Sequence, residues 1–189
     1  MIRSGKTGPD HDRSARQGLI VAVLCLIARH DVIDFGFPAA VGAKFACPKK
    51  KVWAIVGDGG FQMTMCELAT AALHKIAVKV LIINNAYLGM IRQWQELFYD
   101  NRLSGADLDG NPDFVKLGAA YGVKGWNITR AADVDRVLKA AMAYDGPCIV
   151  NAEVVKEDNV FPMIPAGAAL KDMLIERPKM KMDKPTGST

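Results

Sequence analysis

The sequence predicts an α/β protein with an open, mostly parallel sheet and helices on both faces. Two short runs rich in β-branched residues, 52–56 and 80–83, have the length of buried strands. Between them, apolar side chains recur at helical spacing from Phe61 to Ala72. A helix over 61–74, about 21 Å long at about 1.5 Å per residue, would bring the second strand parallel to the first. Residues 52–85 are therefore predicted to form a βαβ unit.

The segment before this unit is harder to interpret. Residues 1–18 are polar and are predicted to be disordered. Residues 19–28 form an apolar run of ten. The run is too short to span a bilayer, because a spanning helix needs about 20 residues. A signal peptide and a buried strand or helix are both compatible with the run, and the lack of a small-residue cleavage site favours the buried element. Pro38 then stands where it would open a helix.

The alternation of strands and helices continues after the βαβ unit. Residues 87–99 are predicted to form a turn and a helix, and residues 101–111, rich in Gly, Asp and Asn, an exposed loop. The elements predicted after the loop are a helix from 112, a strand over 122–128, a helix over 131–143 and a strand over 147–155. This order extends the parallel sheet, and 35–176 is the predicted domain, followed by a flexible tail over 177–189.

Composition limits the classes of function. A chain of 189 residues with 50% hydrophobic residues is expected to form one main domain. The net charge of +4 comes partly from residues 49–51 and from the tail, without a basic stripe interleaved with aromatic residues, so we expect neither nucleic acid nor membrane as a partner. The four cysteines form no C-x-x-C pair, which favours reduced thiols and a cytoplasmic location.

Polar side chains follow the two central strands. Asp58 lies within Gly57-Asp58-Gly59-Gly60, and Asn85 ends the second strand, so both are predicted at the carboxyl edge of the sheet, where such folds bind ligands. Glycine backbone and the free N–H groups of a first helical turn suit a diphosphate. Because a bare carboxylate repels phosphate, a cation is needed between them, and two hard oxygen ligands favour magnesium. The predicted ligand is a magnesium diphosphate.

The Gly-Asp-Gly sequence and the later Asn84-Asn85, at this interval and in a strand-helix-strand context, resemble the thiamine diphosphate binding motif. Two neighbouring stretches, 61–65 and 84–99, the second including Gln93-Trp94-Gln95, are similar to the large subunit of acetolactate (acetohydroxyacid) synthase. The resemblance covers about residues 35–176, and it implies the thiamine-diphosphate-binding fold for this carboxyl-terminal domain.

The resemblance also implies roles for individual residues. Asp58 and Asn85 would bind Mg²⁺ through side-chain oxygens, and Tyr87 through its backbone carbonyl. Met90 and Trp94 would contact substrate, with the tryptophan shaping the space for the second 2-oxoacid, although its spacing alone is equally typical of a core aromatic. The residues implied in cofactor binding are Gly57, Asp58, Gly59, Gly60, Asn85, Tyr87, Leu88, Gly89 and Met90.

In the family, the enzyme condenses two pyruvates, or pyruvate and 2-oxobutyrate, with loss of CO₂ in branched-chain amino acid biosynthesis. The resemblance thus implies 2-oxoacid substrates, a homo-oligomer, a regulatory small subunit, and FAD bound outside this chain. The glutamate that contacts the pyrimidine ring comes from another domain in the family, so no residue here is assigned as catalytic. We therefore expect a fragment that is inactive alone.

The sequence departs from the family pattern just before residue 35. The family carries Gly-Thr-Met-Gly there, and the methionine supports the bent cofactor, whereas this chain has Asp31-Val32-Ile33-Asp34. Codons for residues 29–31 can encode Gly-Thr-Met in the next frame, so a frameshift that places residues 1–34 out of frame is one hypothesis. The alternatives for function are another thiamine diphosphate enzyme, of glyoxylate carboligase or pyruvate oxidase type, and a non-catalytic cofactor-binding remnant.

Overall fold

The computed structural model describes the backbone of residues 21–24 and all of residues 35–177. Its strands are β1 (Val21–Leu24), β2 (Val52–Gly57), β3 (Lys79–Asn84), β4 (Lys124–Ile128) and β5 (Cys148–Glu153). Its α-helices are α1 (Gly36–Ala46), α2 (Asp58–Thr64), α3 (Glu67–Leu73), α4 (Gly89–Phe98), α5 (Phe114–Ala120) and α6 (Val134–Ala143). None of the helices in these ranges combines the length and the hydrophobicity that crossing a bilayer requires.

Within the described residues, the strands form one sheet in the order β1-β2-β3-β5-β4, and every neighbouring pair is parallel. The predicted βαβ unit is confirmed, with Ala54 of β2 opposite Val80 of β3. The apolar run at residues 19–28 contributes β1, which is one of the two elements considered for it. The predictions for residues 1–20, 25–34 and 178–189 lie outside the described residues, and the domain boundary at residue 35 stays a prediction.

Helices cover both faces of the sheet, as the fold class predicts. Alternate side chains of a strand point to opposite faces, so each strand contributes to two cores. The larger core joins α1, α2, α3 and α5 to the sheet through Phe37, Phe61, Leu68, Phe114, Val52, Val80 and Ile149. The smaller core joins α6 to the other face through Val137, Ala141, Trp53, Cys148 and Val150.

The helix predicted over residues 61–74 is wrong in its bounds. It begins at Asp58, and it is interrupted after Thr64 before α3 resumes at Glu67. The interruption is a tightened turn, because the N–H groups of Leu68 and Ala69 donate to carbonyl groups only three residues earlier, at 3.0 Å each. The early start places Asp58 in the first turn of α2, directly after β2.

Phe61 fixes α2 in the larger core. Its side chain is fully buried, and its ring centroid lies 5.5 Å from that of Phe37 and 5.6 Å from that of Phe114. Such aromatic pairs add about 0.5–1.5 kcal/mol beyond the burial of their area. Since Phe61 lies one turn from Asp58, this packing also fixes where the polar start of α2 meets the carboxyl ends of β2 and β3.

Candidate functional site

A cleft of about 230 Å³ opens at the carboxyl ends of β2 and β3. It receives residues from the β2–α2 junction, from the β3–α4 connection and from the segment after β5. The lining residues are Gly57, Asp58, Gly59, Gly60, Ile83, Asn85, Tyr87, Leu88, Gly89, Met90, Ile91, Asp158 and Val160. All nine residues that the resemblance implied in cofactor binding are therefore brought to one cleft.

Asp58 is the buried charge of this cleft. Only 1% of the residue is exposed, and its Oδ2 accepts a hydrogen bond of 2.7 Å from the Nδ2 of Asn111. Burial raises the pKa of its carboxyl above the usual range, while hydrogen bonds from Asn111 and from backbone N–H groups act in the opposite direction. A carboxylate held in this way carries negative charge in a place where a cation would compensate it.

Asn85 and Tyr87 line the same cleft as Asp58. The side-chain Oδ1 of Asn85 accepts from the backbone N–H of Tyr87 at 3.2 Å. Between them, Ala86 has a φ of +54°, a left-handed conformation that turns the chain sharply after β3. The donor set of one carboxylate, one amide oxygen and one backbone carbonyl is entirely of hard oxygen, which fits Mg²⁺.

The same donor set is too small to hold a metal ion alone. In residues 35–177 no group of three or more His, Cys, Asp and Glu side chains could hold a metal ion. Magnesium typically retains several waters and takes phosphate oxygens from its ligand, together with only one or two carboxylates. The residues therefore fit a cation that arrives with a diphosphate better than one held by protein alone.

The side chain of Tyr87 has contacts that the sequence did not predict. The Cζ of Arg92 lies 5.4 Å from the centroid of its ring, and the Nζ of Lys156 lies 5.9 Å from it. Lys156 also forms an ion pair with Asp109. Two cations on the ring, one from α4 and one from beyond β5, hold the connection that carries the Tyr87 carbonyl.

Gly59 lies in close contact with two leucine side chains, which a larger residue would displace. A Cβ atom there would lie 2.5 Å from the Cδ2 of Leu88 and 3.1 Å from the Cδ1 of Leu108. Gly89 is also confined, because its Cβ would lie 3.1 Å from the Nδ2 of Asn85. These two glycines let the β2–α2 and β3–α4 connections approach each other, which brings Asp58 and Asn85 to the same cleft.

The two predicted substrate residues lie on α4, one turn apart. Met90 lines the cleft, whereas Trp94 is half-buried and is not among the lining residues. The ring of Trp94 packs edge-on against Phe98, with 5.7 Å between centroids. Residues four apart share a helix face, so Trp94 continues the surface that Met90 begins.

The segment after β5 closes one side of the cleft with Asp158 and Val160. Gln93 holds it by two hydrogen bonds, since its Nε2 donates to the carbonyl of Val160 at 3.0 Å and its Oε1 accepts from the N–H of Val160 at 2.7 Å. Further along, Arg177 forms an ion pair with the buried Glu96, which also pairs with Arg92 at 3.1 Å. These contacts fix residues 157–177 against α4.

A larger cleft, of about 330 Å³, lies on the other face of the sheet near Thr129 and Arg130. Its walls are mainly apolar, with Ile128, Val134 and Leu138 among them. It exceeds the cleft at Asp58 in volume, but its lining includes neither a buried carboxylate nor a set of converging oxygens. The chemistry therefore assigns the candidate site to the smaller cleft.

Two residues at the cleft were missed at the level of sequence. The exposed loop predicted over residues 101–111 is correct for its outer part. It is wrong for Ala106, which is 1% exposed, and for Asn111, whose side chain donates to Asp58. Backbone hydrogen bonds of 2.8 Å each, from Leu88 to Ala106 and from Leu108 to Ala86, draw this part inward. An asparagine before a proline is typical of a turn, so no sequence signal marks it as a partner of Asp58. Gln62, which holds Asn111, likewise has no such signal.

Comparison with known proteins agrees with this geometry. Residues 26–152 match the family described as "Thiamine pyrophosphate enzyme, C-terminal TPP binding domain". The chain belongs to this family, whose thiamine pyrophosphate is the thiamine diphosphate of the sequence resemblance. The matched range includes β2, β3 and β4 in full, β5 except for its last residue, and the interval from Asp58 to Asn85.

Within that class, the chain is an acetolactate synthase-like domain. It is 43% identical over 143 residues to an acetolactate synthase of Arthrospira platensis, covering 75% of this chain and 25% of that protein. It is 49% identical to an acetolactate synthase of Mycobacterium avium, covering 72% and 23%. For the acetolactate synthase large subunit of Lactococcus lactis the identity is 46%, covering 75% and 24%. The chain thus spans about a quarter of the length of these relatives.

A solved structure supports the same fold. The thiamine diphosphate-dependent 4-hydroxybenzoylformate decarboxylase of Rhodococcus jostii superposes with a TM-score of 0.61 at 35% identity. The match covers 66% of this chain and 24% of that one. The predicted fold class and the predicted family are both confirmed.

Proposed function

We propose that this chain binds thiamine diphosphate through Mg²⁺, as the diphosphate-binding part of an acetolactate synthase active site. The observation that carries the proposal is the convergence of Asp58, Asn85 and Tyr87 on the cleft that Gly57–Gly60 also line. When bound, the cofactor supplies a centre that stabilises the carbanion left by decarboxylation of a 2-oxoacid. The chain's own part is to hold the diphosphate and its cation.

Each residue has a defined part in this proposal. Asp58 and Asn85 would bind the cation through side-chain oxygens, and Tyr87 through its carbonyl. Gly59 and Gly89 leave room for the backbone to approach the ligand. Met90 and Trp94 would form the wall next to the substrate. Val160, held by Gln93, would exclude water from that side.

The whole protein's activity extends the proposal. Forty to fifty per cent identity to acetolactate synthases supports pyruvate and 2-oxobutyrate as substrates, and branched-chain amino acid biosynthesis as the setting. Several relatives, including that of Lactococcus lactis, are named as large subunits, which supports an oligomer with a small subunit. The described cysteines are free, in keeping with a reducing cytoplasm. FAD is proposed for the whole protein only, outside this chain.

A second candidate is a domain that binds the cofactor without catalysis of its own. The departure of the sequence from the family pattern favours it, because Asp31-Val32-Ile33-Asp34 stands where the family carries the methionine that supports the bent cofactor. The glutamate at the pyrimidine ring does not distinguish the candidates, since in the family it comes from another domain. Assaying cofactor binding and acetolactate formation separately distinguishes the two candidates.

The test is titration calorimetry of thiamine diphosphate into the chain with and without Mg²⁺. The parent is expected to bind in a magnesium-dependent manner, and Asp58→Ala is expected to lose that dependence. Asp135→Ala is the matched control, since it removes an exposed carboxylate in the first turn of α6, on the other face of the sheet. Magnesium-dependent binding by Asp58→Ala equal to that of the parent would show that the site lies elsewhere.

A further inference from the structure

We propose that Asn111, oriented by Gln62, is a positioning residue for the cation site. It would hold one oxygen of Asp58 so that the other faces the cation, and this inference rests on the proposed function. Neither residue belongs to the thiamine diphosphate motif, and neither lines the cleft. Both act from behind Asp58.

Every polar atom of the Asn111 side chain has a partner. Its Nδ2 donates to the Oδ2 of Asp58 at 2.7 Å and to the Oδ1 of Asn84 at 3.2 Å. Its Oδ1 accepts from the Nε2 of Gln62 at 2.6 Å. An amide nitrogen has two hydrogens, so both are used, and the amide plane is fixed by three hydrogen bonds from three directions.

The direction of the amide matters because its two ends are chemically opposite. With Nδ2 toward Asp58, the amide attracts the carboxylate; rotated by half a turn, it would set Oδ1 against a carboxylate oxygen. Gln62 supports the first arrangement, because its Nε2 donates to Oδ1. On the other side, the Oδ1 of Asn84 accepts from both the N–H of Ala86 and the Nδ2 of Asn111, which favours the same arrangement. Gln62 and Asp58 lie four residues apart on α2, so one helix face carries both the ligand and the group that orients its partner.

The network continues away from the cleft as a row of asparagines. Asn84 donates to Asn151 at 3.2 Å, and Asn151 donates to Asn127 at 3.0 Å, so the row crosses β3, β5 and β4 at their carboxyl ends. Asn127 at its far end is exposed, and its hydrogen bond in this network is to Asn151 and not to Asp58. It is therefore a suitable control, because it is the same residue type in the same network at the greatest remove from Asp58.

A purely structural role would not require this arrangement. An apolar side chain of similar volume at position 111 would fill the same space behind Asp58. Hydrogen bonds to charged groups, by contrast, are shorter and stronger than neutral ones and fix the orientation of the oxygen that accepts them. Partners that orient a metal-binding carboxylate typically contribute about 10- to 100-fold to metal affinity.

The test uses Mn²⁺ as a paramagnetic substitute for Mg²⁺, with its affinity measured by electron paramagnetic resonance of free Mn²⁺ at a fixed thiamine diphosphate concentration. Asn111→Leu, which keeps the volume and removes the donor, is expected to weaken Mn²⁺ binding at least about tenfold. Asn127→Ala is expected to bind as the parent does. Urea unfolding of each variant separates loss of the site from loss of the fold.

Gln62→Glu is a second test, in which the positioning role and simple charge attraction predict opposite changes in Mn²⁺ affinity. A carboxylate at position 62 accepts only, so Asn111 would turn its Nδ2 toward it and its Oδ1 toward Asp58, weakening Mn²⁺ binding about as much as Asn111→Leu. Simple attraction between the added negative charge and Mn²⁺ gives the opposite sign, namely tighter binding. A structural role for Gln62 would change stability and leave the affinity unchanged.

The outcomes distinguish the two proposals. Parent-like or tighter Mn²⁺ binding by Gln62→Glu, or parent-like binding by a folded Asn111→Leu, would overturn the positioning role and leave the magnesium site standing. Failure of the parent itself to bind Mn²⁺ with thiamine diphosphate would overturn the proposed function, and this inference with it. Weaker binding in both variants, with Asn127→Ala unaffected, supports the role.

Discussion

Burial of the Asp58 carboxyl group lowers the stability of the fold and at the same time places a charge in the candidate site. The residue is 1% exposed, and burial raises its pKa because the ionised form loses contact with water. In the chain without ligand, the hydrogen bond from Asn111 offsets only part of that loss. A cation at the cleft would offset the rest, so the ligand and the fold are coupled through this carboxyl group.

We predict that Asp58→Asn makes the ligand-free chain more stable at neutral pH. A folded-state pKa above the unfolded value means that Asp58 supports the fold when protonated and that this support is lost as the pH rises through the folded pKa. The amide cannot ionise, and its oxygen still accepts from Asn111. Thermal unfolding of both proteins should show a difference at pH 7 that shrinks as the pH falls toward 3.8, the ordinary value for Asp. A variant less stable than the parent at pH 7 would show that ionised Asp58 supports the fold.

Trp94 tests whether α4 shapes a substrate pocket. We predict that Trp94→Leu, in a full-length relative that carries this domain, changes the ratio of acetolactate to acetohydroxybutyrate by about tenfold or more and changes turnover less. The reason is that a large ring discriminates one methylene by about 1–3 kcal/mol without moving protons. Phe98→Leu, at the ring that packs edge-on against Trp94, is the control. An unchanged product ratio would assign Trp94 to packing alone.

At the scale of elements, α4 is the least ordinary helix. Its buried residues are polar, namely Arg92, Gln93 and Glu96, while Ile91 and Phe98 are 39% and 41% exposed. Residues 157–177 explain the polar side, because they offer carbonyl groups and Arg177 to that face. The spacing of Leu88, Ile91, Gln95 and Phe98 puts them near one face of the helix, and hydrophobic periodicity could not indicate that a polar segment covers the other face.

The two glutamines beside Trp94 make the same pair of contacts to different segments. Gln93 bonds the backbone of Val160 in both directions, and Gln95 bonds Ser104 likewise, at 2.9 and 3.0 Å. We predict that Gln93→Leu releases residues 157–163 and lowers stability by about 1–3 kcal/mol, since the two hydrogen bonds between the buried Gln93 side chain and the backbone of Val160 are lost. Limited proteolysis should cut near Val160 sooner. Gln95→Leu is the matched control and should favour cleavage near Ser104 instead; equal cleavage patterns would contradict the assignment.

Prediction from sequence succeeded where local signals are strong. The β-branched runs of β2 and β3, the Gly-Asp-Gly turn and the position of Asn85 each follow from residue type and spacing, so the central unit and the cleft were foreseeable. The contribution of Asn111 and Gln62 was not, because it depends on a tertiary approach of the 105–111 loop to α2. The break after Thr64 depends on packing in the same manner, since residues 58–73 have continuous helical spacing.

At the scale of the whole molecule, the described residues form the side of the cleft that would face the diphosphate. Asp58, Asn85 and Tyr87 lie on connections that the sheet fixes, and Val160 closes a neighbouring wall. Among the described residues that line the cleft there is no glutamate, and the sequence has Asp31-Val32-Ile33-Asp34 where the family has Gly-Thr-Met-Gly. The chain also spans only about a quarter of the length of the relatives that it resembles. The residues present therefore suit the proposed diphosphate binding and leave proton transfer without an assigned group.

We predict that the 189-residue chain, purified free of host synthase, makes no acetolactate with saturating thiamine diphosphate, Mg²⁺ and pyruvate. Held only at its diphosphate, the cofactor would have neither an enforced bend nor a partner for proton removal, and such positioning and acid–base terms each contribute orders of magnitude to rate. The measurement is acetolactate formation over hours, compared with buffer and with Asp58→Ala. Calorimetry on the same sample separates an inactive chain that binds from one that does not. Sustained acetolactate formation by the parent, absent in Asp58→Ala, would refute the prediction and would require an acid–base group within this chain, with residues 1–34 the first place to search by substitution.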